Sequence, residues 1–151
     1  MARHLAEPEF SLRVWNRTAA KAAAFASKHK ATQAATPHDA VAGADFIVTC
    51  LSTSTDVESI LDGPTGIEAG LAKGAMFIDC TSGDPAVSQR IAARIAAKGV
   101  SFIDAPVSGG VAGAEIGTLT VMVGGNAADL ERAMPVLDAF DYAAVHGQAG
   151  E

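Results

Sequence analysis

The sequence predicts an α/β fold in which helices cover both faces of a doubly wound, mostly parallel sheet. Residues 46–51 and 75–79 are largely apolar runs, which are typical of strands buried on both faces. Such runs alternate along the chain with segments that carry helix-start signals, a pattern that favours parallel strands joined by crossover helices. The chain has 151 residues, of which 49% are hydrophobic, so it is large enough for one domain with its own core.

The expected strands are short apolar or β-branched runs bounded by turn residues. They lie at residues 12–15, 31–34, 46–51, 75–79, 100–103, 118–123 and 142–146. The strand at 100–103 is followed by Asp104, a rigid turn at Pro106 and a loop that contains Ser108, Gly109 and Gly110. The carboxyl edge of an open α/β sheet is where ligands bind, and unshielded backbone amides suit an anion. This loop is therefore predicted to bind a carboxylate.

Each expected helix begins at a residue that caps free backbone N–H groups or fits the first turn. The beginnings are Thr18, Thr36-Pro37, Asp84-Pro85 and Asn126, together with a capping-box pattern from Thr55 to Glu58. In the helix after Asp84-Pro85, Val87, Ile91 and Ile95 form an apolar stripe at helical spacing. Arg90 and Arg94 lie off this stripe and are expected to face solvent.

Composition argues against several classes of function. The net charge of −6 at pH 7 disfavours binding to nucleic acid, which requires a basic face. No apolar run of about 18 residues is present, so no membrane-spanning helix is expected. Cys50 and Cys80 make neither a disulfide framework nor a zinc site, and the histidines share no ligand spacing, so no metal is expected. A reduced, cytoplasmic compartment is predicted.

The segment from Asp104 to Gly125 is the most informative part of the chain. It reads Asp-Ala-Pro-Val-Ser-Gly-Gly-Val-Ala-Gly-Ala-Glu-Ile-Gly-Thr-Leu-Thr-Val-Met-Val-Gly-Gly. This stretch resembles the substrate-loop signature of the β-hydroxyacid dehydrogenase family, which includes 3-hydroxyisobutyrate dehydrogenase and shares its NADP-binding domain with 6-phosphogluconate dehydrogenase. The resemblance implies that Ser108, Gly109 and Gly110 hold the carboxylate of a small hydroxy acid or semialdehyde. The alternative is that the Gly-Gly pair is only a turn between two strands.

The resemblance also implies a Rossmann-like fold and hydride transfer to or from NADP or NAD. After the second strand of a dinucleotide fold, an acid binds the ribose 2′-hydroxyl, whereas an arginine suits a 2′-phosphate. Here Arg17 stands between Asn16 and Thr18, which favours NADP over NAD. The alternative is an arginine near a helix start with no ligand role.

Two further segments match cofactor-contacting positions of the family. Leu51 and Ser52 follow a buried strand, and the resemblance places their backbone near the nicotinamide ribose. Relatives usually carry proline where Ser52 stands, so this chain departs from the pattern there. Ser82 stands where the family has a cofactor-contacting threonine, and Asp84 with Pro85 would cap the next helix in any case.

The turn G-x-G-x-x-G that opens a dinucleotide-binding domain is absent, because the first glycine is Gly43. Residues 1–5 resemble the tail of the helix that follows this turn in the family, and residues 12–17 resemble its second strand. Residues 146–150 resemble the start of the segment leading to the family's helical second domain, and the family's catalytic lysine lies beyond it. We therefore expect residues 1–151 to form a partial dinucleotide-binding domain, a fragment without the first strand, the turn, the C-terminal helical domain or a catalytic residue.

Several expectations follow for the isolated chain. It should be inactive, and the strands at 12–15 and 46–51 should either pair directly or leave a slot between them. Open strand edges also predict pairing between copies, that is, a homo-oligomer. Ser82 and Ser108 should lie at the same edge of the sheet. The alternative function is a degenerate, non-catalytic nucleotide-binding or interaction domain, or one half of a split protein.

Overall fold

The computed structural model of the chain describes residues 1–7 and 9–140, together with the backbone of residues 146–147. Its strands are β1 (Leu12–Val14), β2 (Ala31–Gln33), β3 (Phe46–Thr49), β4 (Met76–Asp79), β5 (Ser101–Asp104), β6 (Val107–Ser108), β7 (Thr120–Val121), β8 (Val123–Gly124) and β9 (His146–Gly147). Its α-helices are α1 (Ala19–Lys28), α2 (Pro37–Val41), α3 (Ser54–Ser59), α4 (Ile67–Gly70), α5 (Pro85–Ala96), α6 (Gly110–Ile116) and α7 (Ala127–Leu137). Short 3₁₀ helices cover Ala2–Leu5 and Asp138–Phe140.

Most strands belong to one sheet, in the order β3-β4-β5-β8-β9. Strands β3, β4 and β5 run parallel, whereas β8 is antiparallel to β5 and β9 is parallel to β8. A parallel pair β1-β2 and an antiparallel hairpin β6-β7 stand outside this sheet. The predicted α/β fold with a mostly parallel sheet is confirmed. The strand expected at 142–146 falls outside the described residues except for its last residue, which lies in β9.

Strands β1 and β3 are found in separate sheets, so they do not close up across the place of the expected first strand. Of the two expected arrangements, direct pairing of these strands is therefore not found among the described residues. Arg13 of β1 reaches from the β1-β2 pair to the last turn of α2. Its Nη1 donates to the carbonyl of Asp39 at 2.9 Å, and its Nη2 donates to the carbonyl of Ala42 at 2.6 Å.

The core lies on both faces of the main sheet. Met76, Phe77 and Ile78 of β4 are fully buried. Because alternate side chains of a strand point to opposite faces, Met76 and Ile78 pack in one cluster with α7, whereas Phe77 packs in the other with α5. Phe77 also stacks on Phe102 of β5, with ring centroids 5.8 Å apart. The apolar run at 75–79 therefore marks the strand that is covered on both sides, as predicted.

Two predictions about α3 and α5 need correction or refinement. The capping box of α3 is formed by Thr53 and Asp56, not by Thr55 and Glu58. The Thr53 hydroxyl accepts from the Asp56 backbone N–H at 3.1 Å, and Asp56 accepts from the Thr53 backbone N–H at 3.1 Å. The sequence offers two overlapping threonine-to-acid patterns, and the earlier one places Val57 in the core, where it is fully buried.

Arg90 and Arg94 on α5 lie on its outer side, where they form ion pairs. Arg90 pairs with Glu58 of α3 at 3.1 Å, and Arg94 pairs with Asp62 at 2.6 Å and with Glu68 of α4. Exposed pairs of this kind contribute little to stability, because water and salt screen the charges. They join α5 to the segment that crosses from β3 to β4.

The segment after β5 is more ordered than a loop between two strands. Gly110 begins α6, which ends at Gly117 in the left-handed conformation with φ of +78°. The strand expected at 118–123 is divided into β7 and β8 by Met122, whose N–H donates to the carbonyl of Pro106 at 3.0 Å. The helix escaped prediction because Gly110 and Gly113 lower its intrinsic propensity, and packing of Gly113 against Leu119 outweighs that cost.

Candidate functional site

The carboxyl ends of β3, β4 and β5 lie side by side at one edge of the main sheet, since these strands are parallel neighbours. The register aligns the last residues of the three strands: Thr49 lies beside Asp79, and Asp79 lies beside Asp104. Ser82 follows β4 and Ser108 follows β5, so both leave the sheet at this edge. We refer to this region, with the loop after β3, as the carboxyl edge.

Asp79 is a buried hydrogen-bond acceptor at the carboxyl edge. It is 1% exposed, and its Oδ1 accepts from the Thr49 hydroxyl at 2.8 Å and from the Thr81 backbone N–H at 3.0 Å. Burial raises the pKa of Asp79, while the hydrogen bonds from Thr81 and Thr49 act in the opposite direction. Asp79 thus joins the end of β3 to the loop after its own strand.

Two more hydrogen bonds hold the loop after β3 against the loop after β4. The Leu51 backbone N–H donates to the Thr81 hydroxyl at 3.0 Å. The Asp84 backbone N–H donates to the Ser54 hydroxyl at 2.8 Å. Gly83 permits this second contact, because a Cβ at that position would lie 1.6 Å from the Ser54 Oγ. The two loops are therefore joined at both ends.

The predicted cofactor-contacting residues of these loops lie between the joined ends. Ser52 and Ser82 are exposed, and Leu51 is half-buried. Thr81, beneath Ser82, is 3% exposed. Thr81 and Ser82 are adjacent in the sequence, but their hydroxyls have different environments. The buried Thr81 hydroxyl accepts the hydrogen bond from Leu51, whereas the Ser82 side chain is open to solvent.

The predicted substrate loop also stands at this edge. Ser108, Gly109 and Gly110 are all exposed, and Ser108 pairs with Thr120 in the β6-β7 hairpin. Gly109 and Gly110 have φ of +134° and +62°, conformations that residues with side chains rarely adopt. A Cβ on Gly109 would also come within 3.1 Å of the Leu119 side chain. The Gly-Gly pair is therefore required by the backbone, whatever it binds.

Asn16, Arg17 and Thr18 lie apart from the main sheet, at the end of β1. All three are exposed. The Asn16 Oδ1 accepts from the Thr18 backbone N–H at 2.8 Å, and Thr18 begins α1 without a side-chain cap hydrogen bond. The structure thus fixes the Asn16–Thr18 turn through Asn16 and leaves the Arg17 guanidinium and the Thr18 hydroxyl at the surface.

Sequence reasoning missed the residues that hold the carboxyl edge together: Thr49, Ser54, Asp79 and Thr81. Each is buried and polar, and each is hydrogen-bonded within the edge. One pattern in the sequence could have indicated them: an apolar strand that ends in an aspartate, with a threonine two residues later. A buried carboxylate needs hydrogen-bond donors nearby, and a threonine can supply them.

Cys50 and Cys80 follow β3 and β4 and lie close together. The Cys50 Sγ lies 4.0 Å from the carbonyl oxygen of Cys80. Burial raises the pKa of both thiols, which suppresses the reactive thiolate. Among the residues that the structure describes, no group of histidine, cysteine and acidic side chains could hold a metal ion. None of the described helices is both long and apolar enough to cross a membrane.

Comparison with protein families gives one match over nearly the whole chain. Residues 1–147 match the family described as the NAD binding domain of 6-phosphogluconate dehydrogenase. An uncharacterized oxidoreductase of Shewanella frigidimarina is 40% identical over 144 residues, which cover 95% of this chain and 50% of the relative. The NAD-dependent L-serine dehydrogenase of Pseudomonas aeruginosa is 41% identical over 109 residues, 72% of this chain and 37% of that enzyme.

A solved structure agrees with these relatives. The structure of Mycobacterium tuberculosis 3-hydroxyisobutyrate dehydrogenase with L-serine superposes with a TM-score of 0.90 at 32% identity. The match covers 99% of this chain and 50% of that one. The chain therefore spans half or less of the length of these relatives.

Proposed function

We propose a function from one premise: the chain belongs to the family of the NAD binding domain of 6-phosphogluconate dehydrogenase, which its residues 1–147 match. On this premise, residues 1–151 form part of a dinucleotide-binding domain of an oxidoreductase. The reaction we propose for that oxidoreductase is hydride transfer between a nicotinamide cofactor and a small 3-hydroxy acid. The observation that carries the proposal is the carboxyl edge, where Ser82 and Ser108 follow neighbouring parallel strands.

The carboxyl edge suits the nicotinamide half of the cofactor. Beside the half-buried Leu51, the hydroxyls of the exposed Ser52 and Ser82 can donate and accept hydrogen bonds with a ribose. When bound, the nicotinamide accepts or gives the hydride, and the protein supplies orientation and electrostatics. In this proposal Ser52 and Ser82 orient the ring toward the loop after β5, where the substrate is held.

The substrate proposal rests on the loop after β5. Ser108 offers a hydroxyl, and Gly109 and Gly110 offer backbone amides that no side chain covers, a combination suited to a carboxylate. L-serine, named for two of the similar proteins, is itself a 3-hydroxy acid with a carboxylate. We propose that Ser108 to Gly110 bind the carboxylate and leave the substrate hydroxyl directed toward the nicotinamide.

NADP is the proposed cofactor, in preference to NAD. The exposed Arg17 can hold a 2′-phosphate through two parallel N–H donors, and the neighbouring Thr18 hydroxyl makes no cap hydrogen bond. No carboxylate stands among Asn16, Arg17 and Thr18 to accept from a 2′-hydroxyl. The NAD-dependent relative from Pseudomonas aeruginosa makes this choice a matter for direct measurement.

A second candidate is a nucleotide-binding domain that does not catalyse a reaction. It is favoured by the loops of the carboxyl edge, which contain no lysine that could move a proton. Nucleotide binding is common to both candidates, and turnover by the chain distinguishes them.

Binding of cofactor fragments to the ¹⁵N-labelled chain tests the proposal. In amide NMR spectra, adenosine 2′,5′-bisphosphate should shift the signals of Arg17, Thr18 and the first turn of α1. Nicotinamide mononucleotide should shift those of Leu51, Ser52 and Ser82, and L-serine those of the loop after β5. Glycerol 3-phosphate is the control for phosphate alone. If neither fragment nor NADP shifts these signals at millimolar concentration, the proposed function is wrong.

A further inference from the structure

We propose that Thr81, held in place by Asp79, and Ser54 are positioning residues for the cofactor. They fix the loop after β3 against the loop after β4, so that both present one rigid surface to the nicotinamide half. This inference rests on the proposed function. It concerns residues that sit beneath the binding surface and do not touch the ligand.

Thr81 makes the first connection with two different groups. Its backbone N–H donates to Asp79 at 3.0 Å, and its hydroxyl accepts from the Leu51 N–H at 3.0 Å. Because Thr81 is 3% exposed, water has little access to replace either bond. The direction of the Leu51 peptide is therefore set by a residue in the loop after the neighbouring strand.

Asp79 sets the position of Thr81. Its Oδ1 also accepts from the Thr49 hydroxyl at 2.8 Å, so one buried oxygen joins the ends of β3 and β4. The main chain reinforces this link, because Cys80 N donates to Thr49 O at 2.7 Å and Ala105 N donates to Asp79 O at 2.7 Å. A carboxylate in a buried place is costly unless it is hydrogen-bonded, and here its bonds all serve the geometry of the edge.

Ser54 makes the second connection, five residues after Thr49, where β3 ends. Its hydroxyl, 4% exposed, accepts from the Asp84 N–H at 2.8 Å. Ser82 consequently lies between two fixed points, at Thr81 and Asp84. Ser52 likewise lies between Leu51, which is bonded to Thr81, and Ser54. The exposed serines of both loops are held on each side by a partly buried hydrogen bond to the other loop.

The central test is the variant Thr81→Val, which keeps the shape of the side chain and removes the acceptor for the Leu51 N–H. We expect it to weaken NADP and nicotinamide mononucleotide binding roughly tenfold, the usual effect of losing one buried hydrogen bond. Affinity for adenosine 2′,5′-bisphosphate should stay unchanged, because Asn16–Thr18 lie on the β1-β2 pair. Thr81→Ser, which restores the hydroxyl, should restore binding of both nicotinamide ligands.

Amide hydrogen exchange tests the connection without any ligand. In the free chain, Thr81→Val should speed exchange at Leu51, and Ser54→Ala should speed exchange at Asp84. Ser54→Ala also serves as an independent binding test if Thr81→Val does not fold. The matched control is Asn126→Ala, which removes a side-chain acceptor of a backbone N–H at the start of α7. It should lower stability by a similar amount and leave both nicotinamide affinities unchanged.

The outcomes separate this inference from the proposed function. If the unmodified chain binds the nucleotides and both Thr81→Val and Ser54→Ala bind nicotinamide mononucleotide normally, the positioning role is overturned while the proposed function stands. Equal weakening of both cofactor fragments also overturns it, since that result indicates general destabilisation. If the unmodified chain binds no nucleotide, the proposed function fails, and with it the role for the cofactor, even where the exchange data confirm the two connections.

Discussion

The Arg13 guanidinium donates to the Ala42 carbonyl at 2.6 Å, and so joins β1 to the end of α2. In a continuous sheet, hydrogen bonds between strands would hold β1 in place. Because β1 and β3 lie in separate sheets, the Arg13 side chain helps to hold β1 instead. A cation at the C-terminal end of a helix is also favourable for the exposed carbonyls there. The position of the Asn16–Thr18 turn relative to the main sheet therefore depends on Arg13.

Replacing Arg13 should loosen the β1-β2 pair. Arg13→Met keeps the aliphatic stem and removes both hydrogen bonds, which should lower the free energy of unfolding by about 1–2 kcal/mol. Urea denaturation measures this change. The matched control is Arg17→Met, whose guanidinium lies at the surface and whose loss should leave stability within about 0.5 kcal/mol. Equal stability of the two variants would contradict the role assigned to Arg13.

Nucleotide preference should depend on Arg17. Arg17→Asp replaces a phosphate donor with a carboxylate, which repels a 2′-phosphate and accepts from a 2′-hydroxyl. The ratio of the affinities for adenosine 2′,5′-bisphosphate and ADP, measured by calorimetry, should shift toward ADP by at least about tenfold, in keeping with a charge-assisted hydrogen bond. An unchanged ratio would show that Arg17 does not contact the phosphate.

Stability should depend on pH through Asp79. Burial raises the pKa of Asp79 in the folded chain above its ordinary value of 3.8, so the folded chain holds this proton more tightly than the unfolded chain does. The wild type should therefore gain stability relative to Asp79→Asn as the pH falls toward 3.8, and lose that gain as the pH rises through the folded value. Urea denaturation of both proteins at about pH 7 and about pH 4.5 measures the difference.

A loss of stability on acidification, relative to Asp79→Asn, would also identify the dominant effect on Asp79. If the stability of the wild type relative to Asp79→Asn falls on acidification, the hydrogen bonds from Thr81 and Thr49 outweigh burial and hold the carboxylate ionised. The variant Thr49→Val separates the two effects, because it removes one of these donors and should raise the pKa of Asp79 further.

The 151-residue chain should bind nucleotide without turnover. The loops of the carboxyl edge contain no lysine, and the Nε2 of His4 lies 3.0 Å from the Ala114 carbonyl. A positioned proton-transfer group typically contributes about 10²–10⁴ in rate. Purified chain with NADP and L-serine or 3-hydroxyisobutyrate should show no rise in the absorbance of reduced nicotinamide. Saturable turnover that Ser108→Ala abolishes would overturn this expectation.

Much of the fold could be predicted because local signals and burial agree. The apolar residues of β4 are covered on both faces, and the stripe of Val87, Ile91 and Ile95 is buried on α5 as its spacing indicates. The start of α3 was misplaced because Thr53 and Thr55 each precede an acid by three residues, and only the burial of Val57 decides between them.

The exposed residues of the candidate site could be named from the sequence, and their binding roles stay predictions; the buried residues that support them could not be named. Exposed serines and paired glycines after strands are visible in a sequence, so Ser82, Ser108 and Gly109 could be named. The hydrogen bonds of Thr81 with Leu51 and of Ser54 with Asp84 join residues 30 positions apart. Such pairs depend on the register of β3 against β4, which no local pattern specifies. The helix α6 was missed for a similar reason, since the place of Gly113 in it depends on contact with Leu119, which lies outside the helix.

The separation of β1-β2 from the main sheet has a consequence for how such a chain can change over time. In the proposed site, the side-chain hydrogen bonds that brace the surface for the nicotinamide lie within residues 49–84, whereas the residues proposed for the 2′-phosphate follow a strand of the separate β1-β2 pair. On this proposal, a substitution at residue 17 alters which dinucleotide is used without disturbing the geometry that orients the reactive ring. The two halves of the proposed site would then be free to diversify independently.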